Sequence, residues 1–168
     1  MTNSFDTSIN RLQRRRADRY RRTSATSRER EFGGLYPPAP AIVIESAEEA
    51  LGFSLPPLLH DIYLKLANGG FGPGYGLVGL ADGYTFEEFG DLTLVEYHLM
   101  LCSSPQQDFP WPPRLLNIAH GGCLYFYAVD CSQPEHPVMR MEGDTGECVS
   151  PTFVAFMERW ADGLPDMP

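Results

Sequence analysis

Leu55-Pro56-Pro57-Leu58-Leu59-His60-Asp61-Ile62-Tyr63-Leu64-Lys65-Leu66-Ala67-Asn68-Gly69-Gly70 decides how the rest of the chain is read. Proline fits the first turn of a helix, where its missing N–H would go unpaired anyway, so Pro56-Pro57 marks a start. Leu58, Leu59, Ile62, Tyr63, Leu66 and Ala67 then recur at helical spacing, and Asn68-Gly69-Gly70 breaks the pattern. On the N-terminal side, Ile42, Ala47, Ala50 and Leu51 predict a first, shorter helix with Glu45, Glu48 and Glu49 on its other faces. Gly52 is placed to take the left-handed cap that ends it. The turn-forming run Pro37-Pro38-Ala39-Pro40 precedes both helices and marks where a folded domain begins.

Beyond Gly70 lies a glycine-rich loop, Phe71-Gly72-Pro73-Gly74-Tyr75-Gly76, leading into a predicted strand Leu77–Leu80. A phosphate-cradling loop runs from strand to helix and ends in Lys and a hydroxyl residue. This one runs from helix to strand without a nearby cation, so its glycines are assigned to turn geometry. An acidic cluster follows, Asp82, Glu87, Glu88 and Asp91, and then a helical pattern through Leu92, Leu94, Val95, Leu99 and Met100. Trp111 sits in a proline-rich loop. Leu115–Ala119 and Leu124–Val129, separated by His120-Gly121-Gly122, predict an antiparallel hairpin, with a further strand at Pro137–Met141 and a turn at Gly143-Asp144-Thr145-Gly146. Ser150-Pro151 is the expected cap of a terminal helix through Phe153, Phe156, Met157 and Trp160. Two helices, a mainly antiparallel sheet interrupted by a helix, and a closing helix make an α+β layout in one domain, residues 36–168.

The 168-residue chain is 43% hydrophobic, enough for one core without disulfide or metal support. No apolar run approaches the roughly 20 residues of a membrane-spanning helix, and the N-terminus lacks the apolar stretch of a secretory signal. A cytoplasmic protein with no membrane association is expected. Cys102, Cys123, Cys131 and Cys148 show no CxxC or ribbon spacing and are expected as reduced, mostly buried thiols. The net charge of −9 conceals two opposite segments. Nine arginines and four acids precede Gly33, giving 9 − 4 = +5, while the remainder holds four basic residues and 18 acids, giving 4 − 18 = −14. Residues 1–35 read as an Arg-rich disordered tail, in which Ile9, Leu12, Arg16 and Tyr20 share a face of a transient helix whose apolar stripe is too thin to dock firmly. A phosphate-binding arm and a transit peptide are weighed beside a plain solvated tail. Asp6 and Asp18 count against the transit peptide, and the lack of interleaved aromatics counts against stacking on single-stranded bases, which leaves at most weak nucleic-acid binding by this arm.

No catalytic constellation emerges. His60, His98, His120 and His136 are dispersed and form no HExxH or comparable ligand pair, Ser103 and Ser104 lack a GxSxG elbow, and no cysteine carries a nucleophile signature. A non-enzyme with no catalytic residue, cofactor or metal is expected.

Glu48, Leu55-Pro56, Tyr63, Asn68-Gly69-Gly70, Trp111-Pro112, Ile118-Ala119 before Gly121-Gly122, the Tyr-rich strand ending Val129-Asp130, Phe153 and Trp160 together resemble the SUKH superfamily of Smi/Knr-type proteins over roughly Ala41 to Gly163. The chain departs from the Gly-Asp-Gly of many members by having Gly121-Gly122-Cys123. The resemblance implies a small α+β domain and, in bacteria, an immunity protein that binds a cognate toxin domain, often one acting on nucleic acid. It also leaves a regulatory or scaffold domain as the alternative. An acidic domain suits a cationic partner. Asp82, Glu87, Glu88 and Asp91, with Tyr125 and Tyr127 on the hairpin, are the candidate partner-binding residues. Glu48, Leu55, Pro56, Asn68, Gly69, Gly70, Trp111, Gly121 and Gly122 are assigned structural roles.

Overall fold

The computed structural model describes residues 7–15, 36–86, 90–104, 110–122 and 124–164. Among these, five helices and four strands form an α+β fold. The helices are α1 (residues 7–15), α2 (Ala41–Leu51), α3 (Pro57–Lys65), α4 (Leu94–Ser103) and α5 (Phe153–Ala161). The strands β1 (Leu115–Gly122), β2 (Tyr125–Asp130), β3 (Val138–Glu142) and β4 (Thr145–Ser150) form one antiparallel meander in the order β1-β2-β3-β4.

Successive side chains of a strand point to opposite faces, and both faces of this sheet are covered. Leu116, Ile118, Tyr127, Val129 and Val138 join the main core with α2, α3, α5 and the 71–80 loop. Leu115, Ala128 and Met141 enter a smaller cluster with Tyr97 and Leu101 of α4 and with Trp111, whose Nε1–H donates to the Leu115 carbonyl at 2.7 Å. The α2 and α3 boundaries follow the sequence reading. Gly52 takes φ 75° and its N–H caps Glu48 and Glu49, while Leu58, Leu59, Ile62 and Tyr63 of α3 are fully buried.

Five expectations are corrected. Leu77–Leu80 is not a strand of the sheet: Leu77 makes a single bridge to Ala119, and the Val78 N–H reaches the Ile118 carbonyl at 2.8 Å. The chain then turns at Gly79, where a Cβ would lie 2.5 Å from both the Asn68 carbonyl oxygen and the Tyr84 nitrogen. Thr145-Gly146 belongs to β4 rather than to a turn, and Gly146 packs under Met141, so only Gly143-Asp144 separates β3 from β4. The α5 cap is Thr152, whose hydroxyl accepts from the Ala155 N–H at 3.0 Å, while Ser150 ends β4 and donates to the Thr152 carbonyl.

The fourth correction concerns the N-terminal segment. Residues 7–15 are helical and docked, with Ile9 and Leu12 buried in the main core. Ser8 donates to Glu158 at 2.8 Å, and Arg11 lies 3.6 Å from Asp162. The apolar stripe is thin, but two buried aliphatic side chains at roughly 1.5–3 kcal/mol each outweigh an exposed ion pair. The remainder of the expected tail, residues 1–6 and 16–35, lies outside the described residues. Fifth, only Cys131 of the described cysteines is buried, and Cys102 and Cys148 are exposed.

Candidate functional site

The surface at the β1–β2 end of the domain is built on Asn68. Its side-chain oxygen accepts from the Leu80 N–H at 2.8 Å and its amide donates to the Ala81 carbonyl at 2.9 Å, while its own carbonyl accepts from the Tyr84 N–H. Gly69, at φ 82°, lies so close to the returning chain that a Cβ would come within 2.7 Å of both the Gly79 nitrogen and the Leu77 oxygen. One buried amide and the close approaches at Gly69 and Gly79 thus fold residues 68–84 into a clasp whose outer part reaches the edge of β1. Tyr63 anchors it from α3 by donating to the Val78 carbonyl at 2.5 Å, and its burial holds the phenol protonated far above the ordinary range.

At the β1 edge the Tyr75 N–H donates to the His120 carbonyl at 2.8 Å, an approach that requires glycine at position 74, where a Cβ would overlap that oxygen. Three rings meet there. Tyr75 stacks on Phe86 (centroids 5.4 Å apart, 27° between planes) and on His120 (5.7 Å, 20°), and Phe86 stacks on His120 (5.0 Å, 17°). His120 is oriented through Nδ1, which accepts from the Gly122 N–H at 3.1 Å. Tyr75 is 56% exposed, and Leu124, at the hairpin tip with φ 74°, is 88% exposed. A bulky residue at positive φ costs on the order of 1–3 kcal/mol and calls for a compensating role.

The candidate partner-binding residues divide. Asp82 and Asp91 are exposed, both at positive φ, and Asp91 accepts from the hydroxyl of Thr85, the residue before Phe86. Glu87 and Glu88 lie outside the described residues. Tyr127 is corrected: it is 1% exposed and packs 5.0 Å from Phe156, so it belongs to the core. Tyr125 is half-buried, with Arg140 4.3 Å from its ring centre and Gly121 beneath its edge. Sequence reasoning did not bring Tyr75, Phe86, His120 and Leu124 together as one surface. The signal available was a lone tyrosine framed by Gly74 and Gly76.

The residues assigned structural roles are placed as follows. Glu48 accepts from the Leu55 N–H at 2.8 Å and so joins α2 to the start of α3. Leu55 and Pro56 are buried behind it, and Asn68, Gly69 and Gly70 form the clasp. Trp111 closes the smaller cluster, Gly121 makes room for the Tyr125 ring, and Gly122 takes φ 94° below Tyr75.

Among the described residues no three His, Cys, Asp or Glu side chains converge on a point where a metal could be held. A thiol and an imidazole meet at Cys102 and His98, 3.5 Å apart one turn along α4. Partial desolvation raises the Cys102 thiol and burial lowers His98, which donates from Nε2 to the Pro113 carbonyl, so both are held neutral rather than as a thiolate–imidazolium pair. No described helix is long and apolar enough to cross a membrane.

A four-stranded meander with helices against both faces, entered through the Leu-Pro-Pro helix and its Asn-Gly-Gly clasp, is an α+β domain of the SUKH class. The SMI1/KNR4 family (SUKH-1) matches residues 38–159, and the chain belongs to it. This family is of the immunity-protein type, is generally non-catalytic and points to a protein partner. The match runs from just before α2 into α5 and leaves α1 outside. No individual curated protein matches the chain.

Proposed function

We propose that the chain is a non-catalytic immunity protein that binds and neutralises a bacterial polymorphic or contact-dependent toxin, one acting on nucleic acid, by covering its cationic site in the cytoplasm. The observation that carries this reading is charge: the sequence from Gly33 onward holds 18 acids against four basic residues, a net −14. Two of those acids, Asp82 and Asp91, stand exposed on the loop that also supplies Phe86. An enzyme that grips a polyanion presents a basic groove, and an acidic surface meets such a groove quickly through long-range attraction.

Co-expression with the toxin domain encoded beside the gene tests the reading. Restored growth and a stoichiometric complex whose association slows as salt rises are expected. Undiminished toxicity overturns it, and a complex formed instead with a signalling component would favour a regulatory or scaffold role.

A further inference from the structure

We propose that the Tyr75–Phe86–His120 stack is the recognition centre of the partner-binding surface and receives an arginine side chain of the partner; the proposal rests on the reading of the domain as a binder of a basic protein. Four observations lead there. First, the three rings are near-parallel and come from three separate segments, and the innermost backbone contact, Tyr75 N–H to His120 carbonyl, fixes them to the sheet edge. A surface assembled this way is ordered before any partner arrives and loses little entropy on binding. Second, Tyr75 is 56% exposed, and the tip residue Leu124 exposes 88% of its surface in a backbone conformation that glycine or asparagine would adopt more readily. Solvent gives no reason to hold a leucine there, whereas an interface does.

Third, the neighbouring charge is acidic. Asp91 accepts from the hydroxyl of Thr85, the residue before Phe86, and Asp82 is exposed on the same loop. Aromatic faces with carboxylates beside them suit a planar cation: the guanidinium stacks on the ring and keeps its edge N–H groups for a carboxylate, which a lysine ammonium cannot do. Negative charge disfavours the other planar occupant, a nucleobase, whose phosphates would be repelled. Fourth, another aromatic of the hairpin, Tyr125, already has a cation over its ring, the chain's own Arg140 at 4.3 Å. The same chemistry is thus satisfied internally on Tyr125, while Tyr75 remains 56% exposed.

The experiment uses the full chain labelled with 15N and two blocked peptides, acetyl-Gly-Arg-Gly-Arg-Gly-amide and its lysine counterpart, titrated in low salt. Expected are shifts of the Tyr75, His120, Gly121 and Leu124 amides, upfield ring-current shifts of the arginine side-chain protons, and several-fold weaker binding of the lysine peptide. Tyr75→Ala should weaken the arginine peptide on the order of tenfold, the range of a partly desolvated cation–π contact, with the rest of the spectrum still dispersed as in the folded protein. Phe86→Leu serves as the second variant, keeping an apolar side chain at the loop while removing the ring.

Equal affinity for both peptides with shifts confined to Asp82 and Asp91 overturns the proposal in favour of charge alone. Larger shifts of the platform amides with AMP than with the arginine peptide assign the stack to a nucleobase. Line broadening at Tyr75 and Leu124 that grows with protein concentration, without peptide, assigns it to a second copy of the chain. Rescue from the toxin that survives Tyr75→Ala would remove the platform and leave the immunity reading in place. Arginine binding at the platform without any rescue would remove the immunity reading and leave the platform.

Discussion

Asn68-Gly69-Gly70 and Gly74-Tyr75-Gly76 are two glycine-bearing triplets in one loop, and they sit in opposite environments. The first is wholly buried, and a bare backbone is required at Gly69 because the returning chain passes within 2.7 Å of where a Cβ would be. The second holds a tyrosine that is 56% exposed, between Gly74, which lets the loop lie against β1, and Gly76, which lies against the backbone of Gly70 and Phe71. Four residues apart, the same residue type serves packing in one place and presentation in the other. The difference teaches that glycine content alone does not say whether a loop builds the fold or offers a surface; what the neighbouring residue touches does. Substitution of Gly69 should therefore cost stability and leave the surface chemistry intact, and substitution of Tyr75 should do the reverse.

Of the substitutions proposed, the largest effect is expected at Gly69. Gly69→Ala places a Cβ within 2.7 Å of two backbone atoms at φ 82°, and neither atom belongs to a side chain that could move away. A loss of about 4 kcal/mol or more is expected, the range of strained backbone and core overlap combined, seen as a fall in Tm of roughly ten degrees. Gly52→Ala is the matched control, with φ 75° but nothing within 4 Å, and should cost only about 1–2 kcal/mol. Equal losses for the two would show that the close approach in the clasp has no energetic weight.

Next comes the docking of α1, a contact outside the family match. Leu12→Ala removes a side chain that is 1% exposed. Such truncations cost about 2–5 kcal/mol in a rigid core, and the lower end is expected for a helix that can detach. Chemical denaturation should show it. An unchanged midpoint would mean that residues 7–15 do not hold the domain together.

A smaller effect is expected from pH. His98 is buried and its pKa is lowered, chiefly by burial and against the raising effect of the Pro113 carbonyl. The unfolded chain therefore binds the proton more readily than the folded one, so stability is full above the ordinary histidine range and declines as pH falls through it. His136, also lowered chiefly by burial, acts in the same direction. Tm should thus drop between pH 7 and pH 5.5, and His98→Gln, which can still donate to Pro113, should flatten that drop. A slope that His98→Gln leaves unchanged would assign it to other groups.

How much of this was legible in the residues follows from how far each signal reaches. The Leu-Pro-Pro start, the Gly52 cap and the β1–β2 hairpin are local, and each stands where the sequence predicts it. The tie from Glu48 to the Leu55 N–H is seven residues long and was still within reach of the family pattern. The Asn68 clasp joins residues 12 and 13 positions apart through a side-chain amide, which periodicity cannot register. Strand β4 was hidden by Gly146, a turn-like residue whose place in the sheet is set by Met141 across from it. The aromatic stack brings together positions 75, 86 and 120, and only the fold makes them neighbours. Tyr127 was misjudged for the converse reason: strand alternation gives two faces, but only the packing of α5 shows that its face is covered.

The most direct test of the split between building and presenting is a paired measurement on Tyr75→Ala. Thermal unfolding and the dissociation constant for the arginine peptide are determined on the same sample. The predicted result is a Tm within about two degrees of the parent, as expected for a surface side chain, together with roughly tenfold weaker binding. A Tm lowered as far as in Gly69→Ala, with peptide binding unchanged, would contradict the account and make Tyr75 a packing residue like those of the clasp.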